Sequence, residues 1–299
     1  MDNLKILEKL KIPKTGKLRM VLDTDTFNEV DDQFALSYAL RSPDRLSLEA
    51  VYAAPFYNSL STGPADGMEK SYKEILNILS LHGINDTEGF AFRGSDRYLG
   101  SREMPCDSPA ARDLIKKAMK SDETLYVVAI GAITNVASAI LMEPAIVDEI
   151  VIVWLGGHSF SWPDTKEFNL HQDIESARVI FDCGVPLILL PCMGVVSALT
   201  TTVPELEANI DGKTDIGTYL TSIVRNCGGG RQVFSRVIWD VSAVACLVNE
   251  DMLRATYEHS PIVSDEARWS FDHNRHLIKY VYHVDRDAIF SDLFNKLSK

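Results

Sequence analysis

The chain has 299 residues, of which 46% are hydrophobic, and this is enough for one large α/β domain. Its formal net charge of -12 argues against nucleic acid and anionic membranes as partners, because an acidic surface repels phosphate groups. The five cysteines are scattered and form no C-x-x-C pair, which indicates reduced thiols and not a zinc or redox site. Since no signal peptide or membrane span is visible either, we expect a cytoplasmic protein.

Short apolar runs alternate with amphipathic stretches through the first two thirds of the chain. The runs that we predict to be buried strands are RMVLDTD (19–25), SLEAVYAA (47–54), TLYVVAIG (124–131), EIVIVWLGG (149–157) and VPLILLPC (185–192). The stretches with helical spacing between them are 31–43, 68–83, 108–120, 133–144 and 173–184. Runs that are apolar on successive residues suit a parallel sheet covered on both faces. We therefore predict an α/β fold with an open, mostly parallel sheet flanked by helices.

The remaining segment, 203–299, is predicted to be mainly helical with one Gly-rich loop and to cap the active edge of the sheet. No linker separates it from the rest of the chain, so we expect residues 1–299 to form a single domain. In open α/β sheets, ligands bind beyond the carboxyl ends of the strands. The residues that directly follow each predicted strand are therefore the candidates for a functional site.

An acidic cluster follows the first predicted strand. Asp23, Asp25, Glu29, Asp31 and Asp32 lie within ten residues of one another. Such a concentration of negative charge is tolerable only if a cation, protons or hydrogen-bond donors compensate it. A purely structural alternative is that the last two aspartates cap the following helix, although one aspartate would suffice for that.

Further oxygen and amide groups follow the other predicted strands. Asn58 comes shortly after the second strand, backbone carbonyls lie free around Ile130, and Glu167 and Asn169 share one face if their segment is extended. Asp240 directly precedes an apolar helix. Oxygen ligands of this kind suit calcium or magnesium and not zinc, because no histidine or cysteine stands at ligand spacing.

Taken together, these motifs resemble the nucleoside hydrolase family, which includes the inosine–uridine-preferring enzymes. The matching motifs are DTD followed by DD, an asparagine after the next strand, GAITNVA, WLGG, EFN and a late aspartate that opens a helix, over residues 19–248. The resemblance implies an open parallel α/β fold with Ca²⁺ at the floor of the site. It also implies cleavage of the N-glycosidic bond of ribonucleosides in nucleoside salvage, and a homodimer or homotetramer.

The resemblance also assigns roles to individual residues. It implies that Ca²⁺ is bound by Asp25, Asp32, the backbone carbonyl of Ile130 and Asp240, and that Asp25 is the general base. It further implies that the ribose hydroxyls are held by Asp31, Asn58, Glu167, Asn169 and Asp240. Asp23 would support the loop.

The sequence departs from the family pattern at several points. The turn TFNEV is two residues longer than usual, so that Asn28 and Glu29 either project into the sugar site or form a wider turn. The asparagine that usually meets the ribose 5′-hydroxyl has no counterpart, which allows a changed 5′ group. Trp239 stands where inosine–uridine-preferring members carry histidine and purine-specific members carry tryptophan. An indole can stack on a nucleobase, so we predict a preference for purine ribosides.

Three alternatives remain open at this stage. The glycines at 228–230 and the arginines around them are typical of a mobile lid, or of a phosphate-binding loop. VLDTDT also fits the D-x-D-x-T pattern of haloacid-dehalogenase-like phosphatases, in which Asp23 would be the nucleophile, Asp25 the acid/base and Mg²⁺ the metal. Finally, a calcium-stabilised protein could bind a riboside without cleaving it.

Overall fold

The computed structural model of the chain describes residues 2–121, 123–231 and 233–299. Its strands are β1 (Leu18–Thr24), β2 (Leu46–Ala53), β3 (Ala91–Arg93), β4 (Leu125–Ala129), β5 (Ile150–Leu155), β6 (Leu187–Leu190), β7 (Thr200–Thr201), β8 (Arg236–Val237), β9 (Leu253–His259), β10 (Ile262–Val263), β11 (Trp269–Ser270) and β12 (Leu277–Val284). Its helices are α1 (Asn3–Lys9), α2 (Asp32–Leu40), α3 (Pro64–Leu81), α4 (Pro109–Ala118), α5 (Thr134–Met142), α6 (Phe168–Gln172), α7 (Ile174–Asp182), α8 (Val203–Asn209), α9 (Asp215–Cys227), α10 (Val241–Val248) and α11 (Arg286–Leu297).

The central sheet has eight strands in the order β3-β2-β1-β4-β5-β6-β12-β9. Every neighbouring pair is parallel except β12 and β9, which run antiparallel. The order turns back at β1, since the chain moves from β1 outward through β2 to β3 and then returns to β4 on the other side. This arrangement confirms the predicted open, mostly parallel sheet, and it places the carboxyl ends of β1, β4, β5 and β6 side by side.

Two hydrophobic layers cover the sheet, one on each face. Met20 and Leu22 of β1 pack into one layer with α2, α3 and α10, whereas Val21 packs into the other with α4, α5 and α7. Every residue of β4, β5 and β6 is buried, as the continuous apolar runs of the sequence predict. Among the described residues, none of the helices combines the length and the apolar composition needed to cross a bilayer.

The prediction that 203–299 is mainly helical is wrong for part of that segment. Helices α8 to α11 are present, but β9 and β12 extend the main sheet by two strands. Their sequences lack a continuous apolar run because β9 is an edge strand with mostly exposed or half-buried residues. In β12, Lys279 is buried, and its ammonium group is satisfied by Glu250 and by the carbonyl of Leu10. Polar residues in such positions interrupt the apolar pattern by which a strand is recognised in the sequence.

Candidate active site

A cavity of about 220 Å³ opens at the carboxyl edge of the sheet, beyond β1, β4, β5 and β6. Parallel strands bring these loops together although they are far apart in the sequence. The acidic residues that line the cavity are Asp25, Glu29, Asp31, Asp32, Glu167 and Asp240. All of them except Glu29 are buried. A small cavity lined with so many buried carboxylates is unsuited to an anion and well suited to a cation or a hydroxyl-rich ligand.

Three of these carboxylates form a tight group. One oxygen each of Asp31, Asp32 and Asp240 lies within 4.8 Å of the others. Asp31 and Asp240 occupy the N-cap positions of α2 and α10, but neither side chain makes a capping hydrogen bond. The Asp31 carboxylate instead accepts from the backbone N–H of Trp239, at 3.1 Å. Helix capping therefore does not account for this cluster.

Asp25 adds a further carboxylate to the acidic wall of the cavity, although it is not one of the group of three. Its Oδ2 atom is buried and has no hydrogen-bond partner among the described residues. Burial, and then repulsion from Asp32 and Asp31, raises the pKa of Asp25 well above its usual range. Burial followed by repulsion from neighbouring carboxylates does the same to the pKa values of Asp31 and Asp240.

Asp32 shows how strong the burial effect is. Burial raises the pKa of Asp32 to about 7, even though the Thr24 hydroxyl donates a hydrogen bond of 2.5 Å to its carboxylate. The four aspartates cannot all be ionised at neutral pH unless positive charge is supplied. Carboxylate and carbonyl oxygens are the ligands of hard cations such as Ca²⁺ and Mg²⁺. The residues present therefore fit a divalent cation, since they include a buried oxygen of Asp25 that has no hydrogen-bond partner among the described residues.

Asp23 lies behind this wall and not in it. Its carboxylate accepts a hydrogen bond of 2.7 Å from Asn135, whose own oxygen accepts from the backbone N–H and the hydroxyl of Ser95. Burial raises the pKa of Asp23 to about 7. The residue is fully buried and does not line the cavity. It therefore supports the loop and cannot be the exposed nucleophile that the phosphatase alternative requires.

Glu167 and Asn169 both line the cavity, but their segment is not extended. Glu167 is the N-cap of α6 and accepts hydrogen bonds from the backbone N–H groups of Asn169, Leu170 and Gly157. The amide nitrogen of Asn169 donates to the carbonyls of Ile130, at 3.2 Å, and Leu155, at 3.0 Å. These bonds fix the loop after β5 against the ends of β4 and β5.

Comparison with known proteins agrees with this geometry. A family model described as "inosine-uridine preferring nucleoside hydrolase" matches residues 20–291. The chain belongs to this family.

Individual relatives in the family differ in their named preference. The pyrimidine-specific ribonucleoside hydrolase RihB of Escherichia coli strain K12 / DH10B is 32% identical over 194 residues, which cover 58% of this chain and 59% of the relative. The match therefore spans about three fifths of that relative's length. A plant nucleoside hydrolase has a TM-score of 0.76 at 19% identity, with 95% of this chain and 99% of that chain covered. A purine-preferring ribonucleoside hydrolase from Gardnerella vaginalis has a TM-score of 0.76 at 23% identity, with 94% and 98% covered. The two structural likenesses show the shared fold.

The longer turn of this family member changes the neighbourhood of Asn58. Asn28 and Glu29 line the cavity, whereas Asn58 does not. The amide of Asn58 instead donates a hydrogen bond of 2.6 Å to the side-chain oxygen of Asn28. Glu29 forms an ion pair with Arg236, which follows the Gly-rich loop. The sequence is compatible with two paths for this turn, and in the structure Asn28 and Glu29 line the cavity.

The Gly-rich loop itself gives little support to phosphate binding in this family member. Of the three arginines around the glycines, Arg225 pairs with Glu207 and Asp211, and Arg236 pairs with Glu29, so that two of the three guanidinium groups are already engaged. Residue 232 of the loop lies outside the described residues.

Trp239, which was predicted as a substrate-binding residue, lines the cavity wall and is half-buried.

Several other cavity residues were not predicted from the sequence. His158, Lys166, Cys192 and Met193 also line the cavity and had no assigned role. Their common signal is position, because His158 and Lys166 lie in the loop after β5, and Cys192 and Met193 directly follow β6. A search of every strand end, and not only of acidic ones, would have found them.

Proposed function

We propose that this protein hydrolyses the N-glycosidic bond of ribonucleosides in a Ca²⁺-dependent reaction that releases ribose and free base. The observation that carries the proposal is the buried oxygen of Asp25, which has no partner among the described residues and belongs to a cavity that is also lined by the tight group of Asp31, Asp32 and Asp240. A site that is acidic, buried and open only through one cavity suits a cation together with a polyhydroxylated substrate.

The metal ligands that we propose are Asp25, Asp32, Asp240 and the backbone carbonyl of Ile130. All four residues line the cavity. The carbonyl of Ile130 already accepts from Asn169, but a carbonyl oxygen has a second lone pair for a cation. A bound Ca²⁺ supplies positive charge that offsets the carboxylates and lowers the pKa of a water molecule.

The remaining roles follow from the residue chemistry. Asp25 takes the proton from the attacking water, since its carboxylate lines the cavity and one of its oxygens has no partner among the described residues. We place the sugar between Asp31, Glu167, Asn169 and Asp240, whose oxygens accept from hydroxyl groups. Asn58 does not line the cavity, and its link to the proposed sugar site is its hydrogen bond to Asn28. Cleavage of the C–N bond builds positive charge on the ribosyl group, which the surrounding carboxylates stabilise.

We also propose that the enzyme prefers purine ribosides. Trp239 lies in the cavity wall beside Asp31, with its backbone fixed by the Asp31 carboxylate and by the Ser242 hydroxyl. A fixed, half-buried indole offers a flat surface on which a bicyclic base stacks over a larger area than a pyrimidine. Faster turnover of uridine than of inosine would rule out this preference.

The test of the main proposal is release of reducing sugar from a panel of ribosides. The protein is assayed with inosine, adenosine, guanosine, uridine and cytidine, in CaCl₂ and again with a calcium chelator. We expect sugar release that the chelator abolishes and that added CaCl₂ restores. If no riboside releases sugar in CaCl₂, the proposed hydrolysis is wrong and the alternative of a riboside-binding protein is favoured. If Mg²⁺ restores the activity and Ca²⁺ does not, the proposed metal is wrong.

Three further properties are proposed from the family resemblance. These are a cytoplasmic location with a role in nucleoside salvage, a homodimer or homotetramer, and a single domain whose C-terminal part closes over the site. Light scattering on the purified protein tests the assembly, and a single cooperative unfolding transition tests the domain count.

A further inference from the structure

The cavity has many hydrogen-bond acceptors and few donors. Its carboxylates only accept when ionised, and the amide nitrogen of Asn169 is already engaged with two carbonyls. A ribose hydroxyl both donates and accepts, so that a hydroxyl whose proton goes to a carboxylate still needs a donor for its oxygen. Among the side chains that line the cavity, Asn28 provides such a donor from within the acidic loop itself, between Asp25 and Asp31.

Asn28 is placed for this by its own loop. The side chain is 9% exposed and lines the cavity. Its backbone N–H donates to the carbonyl of Asp25 at 2.7 Å, so the residue is held next to the proposed general base. Its side-chain nitrogen donates to none of the described residues, although its side-chain oxygen is engaged. A buried amide with one end bonded and the other end turned to a cavity is a ready contact for a ligand.

A relay of hydrogen bonds fixes which end of the Asn28 amide faces the cavity. The backbone N–H of Leu60 donates to the side-chain oxygen of Asn58 at 2.8 Å. Because a backbone N–H is only a donor, the Asn58 oxygen must lie on that side and its nitrogen on the other. The Asn58 nitrogen then donates to the Asn28 oxygen at 2.6 Å. The Asn28 nitrogen is therefore left with its protons directed away from Asn58.

We propose that Asn28 is the amide that contacts the ribose, donating from its side-chain nitrogen to a hydroxyl oxygen, and that Asn58 is a positioning residue that sets its orientation. This inference rests on the proposed riboside substrate. Because the turn is two residues longer, Asn28 lies between Asn58 and the proposed position of the ribose. The hydroxyl concerned is one of the vicinal pair, since Asn28 lies in the loop between Asp25 and Asp31, which we place against the same side of the sugar.

The first test compares substrates that lack one hydroxyl. Asn28→Ala removes the donor, and we expect kcat/KM for inosine to fall about 10-fold, the effect of one lost hydrogen bond in a buried site. With one of the two substrates 2′-deoxyinosine and 3′-deoxyinosine, the same substitution has little effect, because that substrate lacks the hydroxyl that Asn28 contacts; the other substrate keeps the loss seen with inosine. An equal loss on inosine and on both deoxy substrates would show a structural effect and would overturn the inference.

The second test separates contact from positioning. Asn58→Ala leaves the Asn28 amide in place but free to rotate, so its loss is smaller than that of Asn28→Ala, and the double variant is no worse than Asn28→Ala alone. Asn58→Asp replaces the donor with an acceptor, which turns the Asn28 amide round and directs its oxygen to the cavity. We expect this substitution to be as harmful as Asn28→Ala while the Kd for Ca²⁺ stays unchanged. A large loss in Asn58→Ala together with a negligible loss in Asn28→Ala would assign the contact to Asn58.

Binding measurements keep this inference separate from the proposed activity. Inosine is titrated calorimetrically into the wild-type protein and into Asn28→Ala, both in CaCl₂ and both checked for an unchanged Tm. A roughly 10-fold weaker Kd in the variant supports the contact even if the wild-type protein releases no sugar. Unchanged affinity, or no binding of inosine by the wild-type protein, would overturn the inference.

Discussion

Removal of the cation from the acidic cluster gives a prediction whose size follows from the structure. Burial raises the pKa of Asp32 from its ordinary value of 3.8 to about 7. At about 1.36 kcal/mol per unit, ionised Asp32 costs the metal-free fold about 4 kcal/mol. A raised pKa in the folded state contributes stability that is complete below the unfolded value and is lost as the pH rises through about 7. Metal-free protein is therefore destabilised by this group at alkaline pH.

The proposed Ca²⁺ would compete with protons for the same carboxylates, so we expect the stabilisation by Ca²⁺ to increase with pH. At about 100 times its Kd, a ligand stabilises the folded state by about 2.7 kcal/mol, which for a chain of 299 residues corresponds to a rise in Tm of about 4 °C. The assay is thermal unfolding in CaCl₂ and in chelator, at about pH 5.5 and about pH 8. We expect the difference in Tm to be large at the higher pH and to shrink by half or more at the lower one.

Comparing the Tm with and without Ca²⁺ at each pH also cancels the effect of groups that titrate elsewhere in the protein. Burial lowers the pKa values of His82 and His276 to about 4, which destabilises the fold on acidification, but equally with and without Ca²⁺. A matched variant is Asp32→Asn, which should raise the Tm of the chelated protein at the higher pH and weaken the response to Ca²⁺. An equal Tm difference at both pH values, or a larger one at the lower pH, would refute the electrostatic argument.

The remaining predictions concern single side chains. Asp25→Asn removes the proton acceptor at constant size, so kcat for inosine should fall on the order of 10³-fold in a sugar-release assay while inosine still binds. Trp239→Leu removes the stacking surface, and the ratio of inosine to uridine kcat/KM should fall up to about 10-fold. Gly131→Ala would place a methyl group 3.1 Å from the Asp25 carboxyl carbon, and should therefore reduce kcat more than it reduces Tm. His82→Leu should lessen the loss of stability as the pH falls from about 6.5 towards 4, as measured by urea unfolding at each pH.

The fold was predictable where burial is uniform. β4, β5 and β6 have both faces covered, so that their sequences are continuously apolar and their type and position are evident. β12 is different, because a buried lysine interrupts it and the partner of that lysine is far away in the sequence. No local pattern reveals that Lys279 meets Glu250, since the pairing depends on the tertiary fold.

The site was predictable to the extent that it is built from strand ends. Asp25, Ile130 and Asp240 were identified because each adjoins an apolar run, and the topology brings them to one cavity. The relation between Asn28 and Asn58 was not predictable in the same way. It depends on the path of a turn and on the orientation of two amides, and both are fixed by a backbone N–H two residues beyond Asn58.

Two of the segments that line the cavity are coupled, and this has a consequence for specificity. The Asp31 carboxylate accepts from the backbone of Trp239, and Glu29 pairs with Arg236, so the loop after β1 and the start of α10 are joined at two points. The ion pair is partly exposed and contributes little stability by itself, whereas the buried bond of Asp31 is part of the acidic cluster. Loss of the cation would therefore disturb the wall of the proposed base site through Asp31 as well as the sugar site. Metal binding and discrimination between bases are for this reason expected to depend on each other.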